Sequence, residues 1–257
     1  MFILLSPAKK LLPISKPYSG NTTEPTLINK AIRLAKLMKS NSIEDLAQLM
    51  DLSQALAKLN YDRYQQFNLQ NPSLTQSYPA LLLFKGDVYQ GLSATNWTED
   101  DLNYSQTHLG ILSGLYGILR PLDRIQPYRL EMGVNLANPK GANLYEFWRE
   151  SITKALNTKL ALDANPVLIN LSSIEYFKAI DTKILKFPIL SINFYEQKNN
   201  ETKIIGIYAK KARGLMAKYL IQNRVKTIDK IKSFSESGYR FCEISSSEKH
   251  LNFVRIH

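Results

Sequence analysis

Three apolar, strand-like segments each run into a turn with chemically capable side chains. Phe2 to Leu5 leads into Ser6-Pro7-Ala8-Lys9, Val167 to Asn170 leads into Ser172-Ser173 and Glu175-Tyr176, and Ile204 to Tyr208 leads into Lys210-Lys211-Ala212-Arg213. In open sheets with parallel strands, ligands sit beyond the carboxyl ends of the strands, so these turns are expected to converge on one pocket. Taken alone, Ser172 to Glu175 reads as a capping box, in which serine and glutamate satisfy free amides of a new helix. Lys9 follows the rigid Pro7 directly after a buried strand, which marks it as a candidate, although a chance surface lysine fits as well.

Two further constellations carry charge or special backbone. Phe84-Lys85-Gly86-Asp87 sets a cation and a carboxylate two apart across a glycine. Such a pair orients a phosphate or serves as an acid-base couple, and equally forms a tight turn with a surface ion pair. Leu112 to Pro121 reads as a helix ending in a hairpin with Gly114 and Gly117, close to Arg120, Arg124 and Arg129. Glycines there permit positive φ and close backbone approach, which suits a phosphate and also suits tight helix packing.

The segment Ala209 to Arg224 makes the strongest case for a polyanion. On a helical wheel Ala212, Leu215, Met216, Tyr219 and Leu220 form one apolar arc, flanked by Lys211 and Lys218 on one side and by Arg213 and Arg224 on the other. Lys210 and Lys211 lie near the helix start, where the dipole repels cations, so ligand contact explains them better than stability does.

The elements that must position these residues follow from periodicity. A strand is expected at Phe2 to Leu5, then helices over Thr26 to Lys39, Ile43 to Met50 and Ser53 to Phe67. Thr98 and Asp101 have capping-box spacing and start a helix expected to run towards Ser113; Asn143 to Leu156 forms another. Strands are expected at Pro166 to Leu171, Phe187 to Tyr195, Lys203 to Tyr208, Tyr239 to Ile244 and Leu251 to Ile256. Pro13 to Pro25 is the one linker-like stretch. The fold class is α/β in the mixed α+β sense, without regular βαβ alternation, and the chain reads as one domain over residues 1–257.

Composition bounds the chemistry. With 257 residues and 44% apolar content the chain buries a sizeable core. One cysteine, Cys242, and three histidines exclude a disulfide framework, a Cys/His zinc site and a thiolate-bound iron-sulfur cluster within one chain. No metal site or cofactor is assigned, and carboxylate-only metal binding stays open. The apolar start is too short for a signal core and no window makes a transmembrane run, so a cytoplasmic location and no membrane partner are expected. The net charge of +11 is regional: Lys178 to Lys232 holds 13 basic and 4 acidic residues. That concentration suits nucleic acid, and a solubilising lysine-rich face equally.

The chain resembles the YaaA family of bacterial peroxide-stress proteins over nearly its whole length. The matching stretches are Ser6-Pro7-Ala8-Lys9, Phe84 to Tyr89 with Gly91-Leu92, Leu112 to Asp123, Pro127 to Gly133, Asn170-Leu171-Ser172 with Glu175-Tyr176-Phe177, and Tyr208 to Met216. The resemblance implies a cytosolic single domain of unusual topology, with a basic cleft and a helix-hairpin-helix-like element, that binds double-stranded and branched DNA and limits iron-dependent oxidative damage. It carries the hairpin onto Gly114 and Gly117, with two residues between the glycines where the common turn has one. It draws the cleft from Lys210, Lys211, Arg213 and Lys218, and the flanking Arg224 completes the DNA-binding set. Any effect on iron is expected to be indirect, given the Cys and His count.

Three functions are therefore carried forward. The first is a DNA-binding protein of the peroxide response that protects or helps repair DNA. The second is an enzyme that processes a nucleotide or nucleobase, for example by cleaving a glycosidic bond, with Lys9, Lys85, Asp87 and Glu175 as catalytic candidates. The third is a scaffold whose basic face meets an acidic protein. Oligomeric state is not legible.

Overall fold

Phe2, Ile3, Leu4 and Leu5 are buried without alternation, the pattern of a strand covered on both faces, and they sit in the middle of a mixed sheet. The computed structural model describes residues 1–13, 18–71, 76–199 and 201–257; part of the linker-like Pro13 to Pro25 lies outside them. The strands are β1 (Phe2–Leu5), β2 (Lys10–Leu11), β3 (Tyr78–Pro79), β4 (Phe84–Lys85), β5 (Leu109–Ser113), β6 (Gly117–Leu119), β7 (Arg124–Ile125), β8 (Leu168–Asn170), β9 (Ile189–Lys198), β10 (Glu201–Lys203), β11 (Arg240–Phe241) and β12 (His250–Ile256). The helices are α1 (Ile28–Lys39), α2 (Ile43–Met50), α3 (Gln54–Gln66), α4 (Ala80–Leu83), α5 (Asp87–Leu92), α6 (Glu99–His108), α7 (Leu144–Leu160), α8 (Ile174–Phe177), α9 (Gly206–Gln222) and α10 (Ile228–Lys232).

The large sheet has the order β11-β12-β9-β8-β1-β5-β6, with β10 paired to β9. Its five central strands, β12, β9, β8, β1 and β5, run parallel, and β11 and β6 close the ends antiparallel. After β1 the chain returns to the sheet as β5 on one side; after β8 it returns as β9 on the other. The connections therefore diverge between β1 and β8, and such a switch point opens a crevice at the carboxyl ends of the two strands. One hydrophobic cluster runs from β1 through Tyr116 and Trp148 to Phe194 and Phe253.

The mixed α and β class stands, and so do the helices of the first 67 residues and α7. Ser42 and Ser53 cap α2 and α3. Four expectations need correction. The helix from Thr98 stops at His108, because Leu109 to Ser113 pairs in parallel with β1 as a fully buried strand. A continuous apolar run does not distinguish strand from helix by period. The glycine hairpin is consequently strand-flanked: β5 and β6 pair antiparallel around Gly114 to Tyr116, and no helix enters or leaves it. The strand expected at Lys203 to Tyr208 ends at Lys203, and α9 begins at Gly206. The strand expected at Tyr239 to Ile244 shortens to Arg240–Phe241.

Candidate functional site

The carboxyl ends of β1 and β8 are joined by their own turns. The Ser173 amide donates to Ser6 Oγ at 2.9 Å, and Ser173 Oγ accepts from the Tyr176 amide at the start of α8. The hydroxyl of Tyr89, on α5, donates to the Ser6 carbonyl at 3.1 Å. Beyond Lys9 the chain forms β2, which pairs antiparallel with β4 and sets Lys10 directly opposite Lys85. Like charges at opposed positions destabilise a strand pair, so this arrangement is not explained by folding. α5 lies against α9, which brings Asp87 to the same side as Lys210 and Arg213.

These elements enclose a cavity of about 480 Å³ at the switch point. Five cations, Lys9, Lys10, Lys85, Lys210 and Arg213, and three carboxylates, Asp87, Glu131 and Glu175, line it, along with Tyr89 and Tyr176. Glu131 is the best-held carboxylate. Its Oε1 accepts from Arg129 Nε at 3.1 Å and Nη2 at 2.9 Å and lies 3.2 Å from Lys9 Nζ. Its Oε2 is buried and has no hydrogen-bond partner among the described residues. Glu175 Oε1 accepts from the Gly133 amide at 3.0 Å, which fixes the carboxylate at the rim.

The cations differ in how they are held. Arg213 is half-buried on α9 and makes no ion pair among the described residues. Burial pulls its guanidinium below the ordinary arginine range, with no carboxylate opposing that shift. Arginine stays charged even so, and an unpaired half-buried guanidinium is suited to a planar anion. Lys10, Lys85 and Lys210 are likewise without an ion-pair partner among the described residues and add positive potential. Burial pushes the hydroxyls of Tyr89 and Tyr176 far up, with Tyr128 adding to it for both, so both rings remain neutral donors.

The structure brings Lys9, Lys85, Asp87, Glu175, Lys210 and Arg213 to this one cavity. It does not bring the remaining candidates there. Gly114 and Gly117 are buried in the β-hairpin: a Cβ on Gly114 would overlap the Leu130 carbonyl, and one on Gly117 would lie 2.7 Å from the Trp148 ring. Both glycines lie outside the cavity lining. Arg224 is spent on α6, with Nη2 at 2.6 Å from Asp100 and Nη1 at 2.8 Å from Asp101, and its guanidinium lies 4.3 Å from the Tyr104 ring centre. Lys211 and Lys218 sit on α9 outside the cavity lining. The capping box at Ser172 to Glu175 is also corrected, because Ser173 is the cap, Ser172 Oγ donates to Asn170, and Glu175 reaches Gly133 instead.

Two charged lining residues escaped the candidate set. Lys10 sits next to Lys9, but only the pairing of β2 with β4 gives it a role. Glu131 stands two residues after Arg129, and in extended backbone that spacing places both side chains on one face. Among the described residues no group of three or more His, Cys, Asp or Glu side chains is placed to hold a metal ion, and no helix is long and apolar enough to cross a membrane.

Residues 1–245 match the family model described as peroxide stress protein YaaA. A UPF0246 protein of Legionella pneumophila is 63% identical over 257 residues, covering all of both chains. UPF0246 proteins of Psychrobacter cryohalolentis and Phenylobacterium zucineum are 46% and 44% identical, each over 99% of this chain and 98% and 95% of their own.

Proposed function

Since this chain belongs to the YaaA family of peroxide stress proteins, we propose that it acts in the peroxide response on DNA, with the cavity at the switch point as the place where a strand's phosphate is held. The observation that carries this reading is Arg213, a half-buried guanidinium on the cavity wall with no carboxylate partner among the described residues, flanked by Lys85 and Lys210. A protein uses such a group to neutralise a phosphate, and each phosphate neutralised releases condensed counterions. Lys211 and Lys218 extend the positive charge along α9. Affinity for an arbitrary duplex should then fall with salt at a log-log slope of roughly −0.9 per phosphate contacted, and Lys85→Ala with Lys210→Ala should flatten it by about two contacts. Salt-independent binding, or a slope that the double variant leaves unchanged, would remove DNA from this cavity.

A second reading is supported by Asp87 and Glu175. Phosphate binding needs only positive charge, and carboxylates inside a cationic cavity weaken it unless they do chemistry or recognise a base. In that reading the chain processes a nucleobase, with one carboxylate as acid or base. Glu175→Gln keeps an acceptor for the Gly133 amide, and Asp87→Asn keeps size. A pure binding protein should bind DNA as well or slightly better with both changes and still protect cells from peroxide, whereas an enzyme should keep binding and lose protection.

A further inference from the structure

The cavity contains two groups of opposite character that do not satisfy each other. Among the described residues Arg213 has no ion-pair partner, Glu131 Oε2 has no donor, and no ion pair joins the two although both line the same cavity. Native proteins leave few buried polar atoms unpaired, and the exceptions call for an occupant or a function. Glu131 cannot turn its free oxygen outward, because Arg129 and Lys9 hold the other oxygen from two directions.

From this we infer that the cavity is a mononucleotide site in which Arg213 takes the phosphate and Glu131 Oε2 accepts a hydrogen bond from an N–H of the base. Several cations around one unpaired guanidinium fit the double charge of a phosphate monoester better than a single carboxylate. The largely buried rings of Tyr89 and Tyr176 form part of the lining, and about 480 Å³ lies within the ~300–1,000 Å³ usual for small-ligand clefts. The nucleotide comes either from a free pool or from a strand that extrudes it. This deepens the phosphate reading above but does not depend on duplex binding.

The test is calorimetric titration of the full chain with the four deoxynucleoside 5′-monophosphates and with 2-deoxyribose 5-phosphate, which has no base. At least one nucleotide should bind. Arg213→Gln should weaken nucleotide and sugar phosphate alike by about tenfold or more, since both lose a charge-assisted contact. Glu131→Gln should weaken the nucleotide by about tenfold and leave the sugar phosphate within about twofold. The reason is directional: Arg129 and Lys9 only donate, so the amide carbonyl must face them, and its NH₂ then meets the base N–H where Oε2 stood. If Glu131→Gln does not fold, the native chain answers through the ligand, because methylating the base N–H of the tightest nucleotide should cost a similar factor. Absence of nucleotide binding, equal loss of both ligands in Glu131→Gln, or indifference to methylation would overturn the assignment. A single-stranded oligonucleotide that competes identifies a strand as the source, and one that does not compete identifies the free pool; either supports the site. Duplex binding without nucleotide binding would leave the DNA reading and remove this one, and the reverse would keep the site without duplex DNA.

Discussion

Gly91 on α5 and Gly214 on α9 face each other at a helix crossing so close that neither position has room for a Cβ. A methyl on Gly91 would overlap the Lys211 carbonyl, and one on Gly214 would overlap the Val88 carbonyl, both backbone atoms that cannot swing aside. This contact sets the distance between Asp87 on one helix and Lys210 and Arg213 on the other, so it determines the width of the cavity. Gly214→Ala should therefore lose about 1–3 kcal/mol net by overpacking, despite the roughly 1 kcal/mol that alanine usually gains over glycine inside a helix. Anion affinity should fall further than the unfolding midpoint suggests, because α9 must shift away from α5. Unfolding in denaturant and phosphate titration on the same variant measure the two losses, and unchanged stability would mean the helices separate freely.

Gly117 shows the opposite case, a glycine whose role is structural. It has φ of +75° and lies under Trp148, whose indole Nε1 donates to the Gly114 carbonyl at 2.8 Å. Gly117→Val combines a disfavoured backbone region with a clash against a buried ring, and should cost roughly 2–4 kcal/mol. Any DNA binding should decline only in step with the folded fraction. A variant with native stability that loses binding would return the hairpin to the interface.

The convergence of the site was legible because it follows from a rule about strand ends. Ser6 to Lys9 and Ser172 to Glu175 were expected together on the strength of two apolar segments, and β1 and β8 are adjacent and parallel. The Lys210 segment was placed near them for a partly wrong reason, since a helix and not a strand carries it; Ile204 and Ile207 favour strands, but both are exposed on a chain already turning into α9. The β-hairpin was illegible for a plain physical cause. Leu109-Gly110-Ile111-Leu112 is apolar throughout, so its identity is set by pairing with β1, a partner about a hundred residues away. Glu131 was missed because an unsatisfied oxygen is a property of packing, not of residue type.

Arg224 illustrates how a flanking cation on a helical wheel is absorbed by the fold. It ties the end of α9 to the first turn of α6, where Asp100 also benefits from the helix dipole. Asp101 is held below the usual carboxylate range: burial opposes this, and the hydrogen bonds from Arg224 and Gln222 outweigh it. Arg224→Ala leaves the mostly buried Asp101 carboxylate without its main partner and should cost about 1–3 kcal/mol, less than a fully buried pair because Asp100 is open to solvent. The salt slope of DNA binding should stay unchanged. Lys210→Ala should do the reverse, with stability retained and the slope flattened, and a comparison of the two variants by thermal unfolding and salt titration separates structural from ligand-facing charge.

His108 gives the fold a pH dependence of defined sign. Its ring stacks on Tyr104 with centroids 3.8 Å apart, and its Nδ1 lies 2.9 Å from the Tyr104 carbonyl. Burial lowers its pKa; the N-terminal amine and Lys159 push the same way, while the hydrogen bond to Tyr104 and the charge of Asp163 oppose them without prevailing. The unfolded chain therefore takes up a proton near the ordinary histidine value of about 6.5, and the folded chain only at lower pH. Between those two values the unfolded state binds more protons, so stability is fully present above the unfolded pKa and declines as pH falls through the window. Carboxylates such as Asp101 lose their contribution only further down, as pH falls through the acid range. His108→Phe keeps an aromatic ring against Tyr104 and removes the titration. Denaturant midpoints taken between about pH 7 and pH 5 should fall for the native chain and stay flatter for the variant. Parallel curves would mean that His108 titrates as it does in the unfolded chain and that its burial is relieved on protonation.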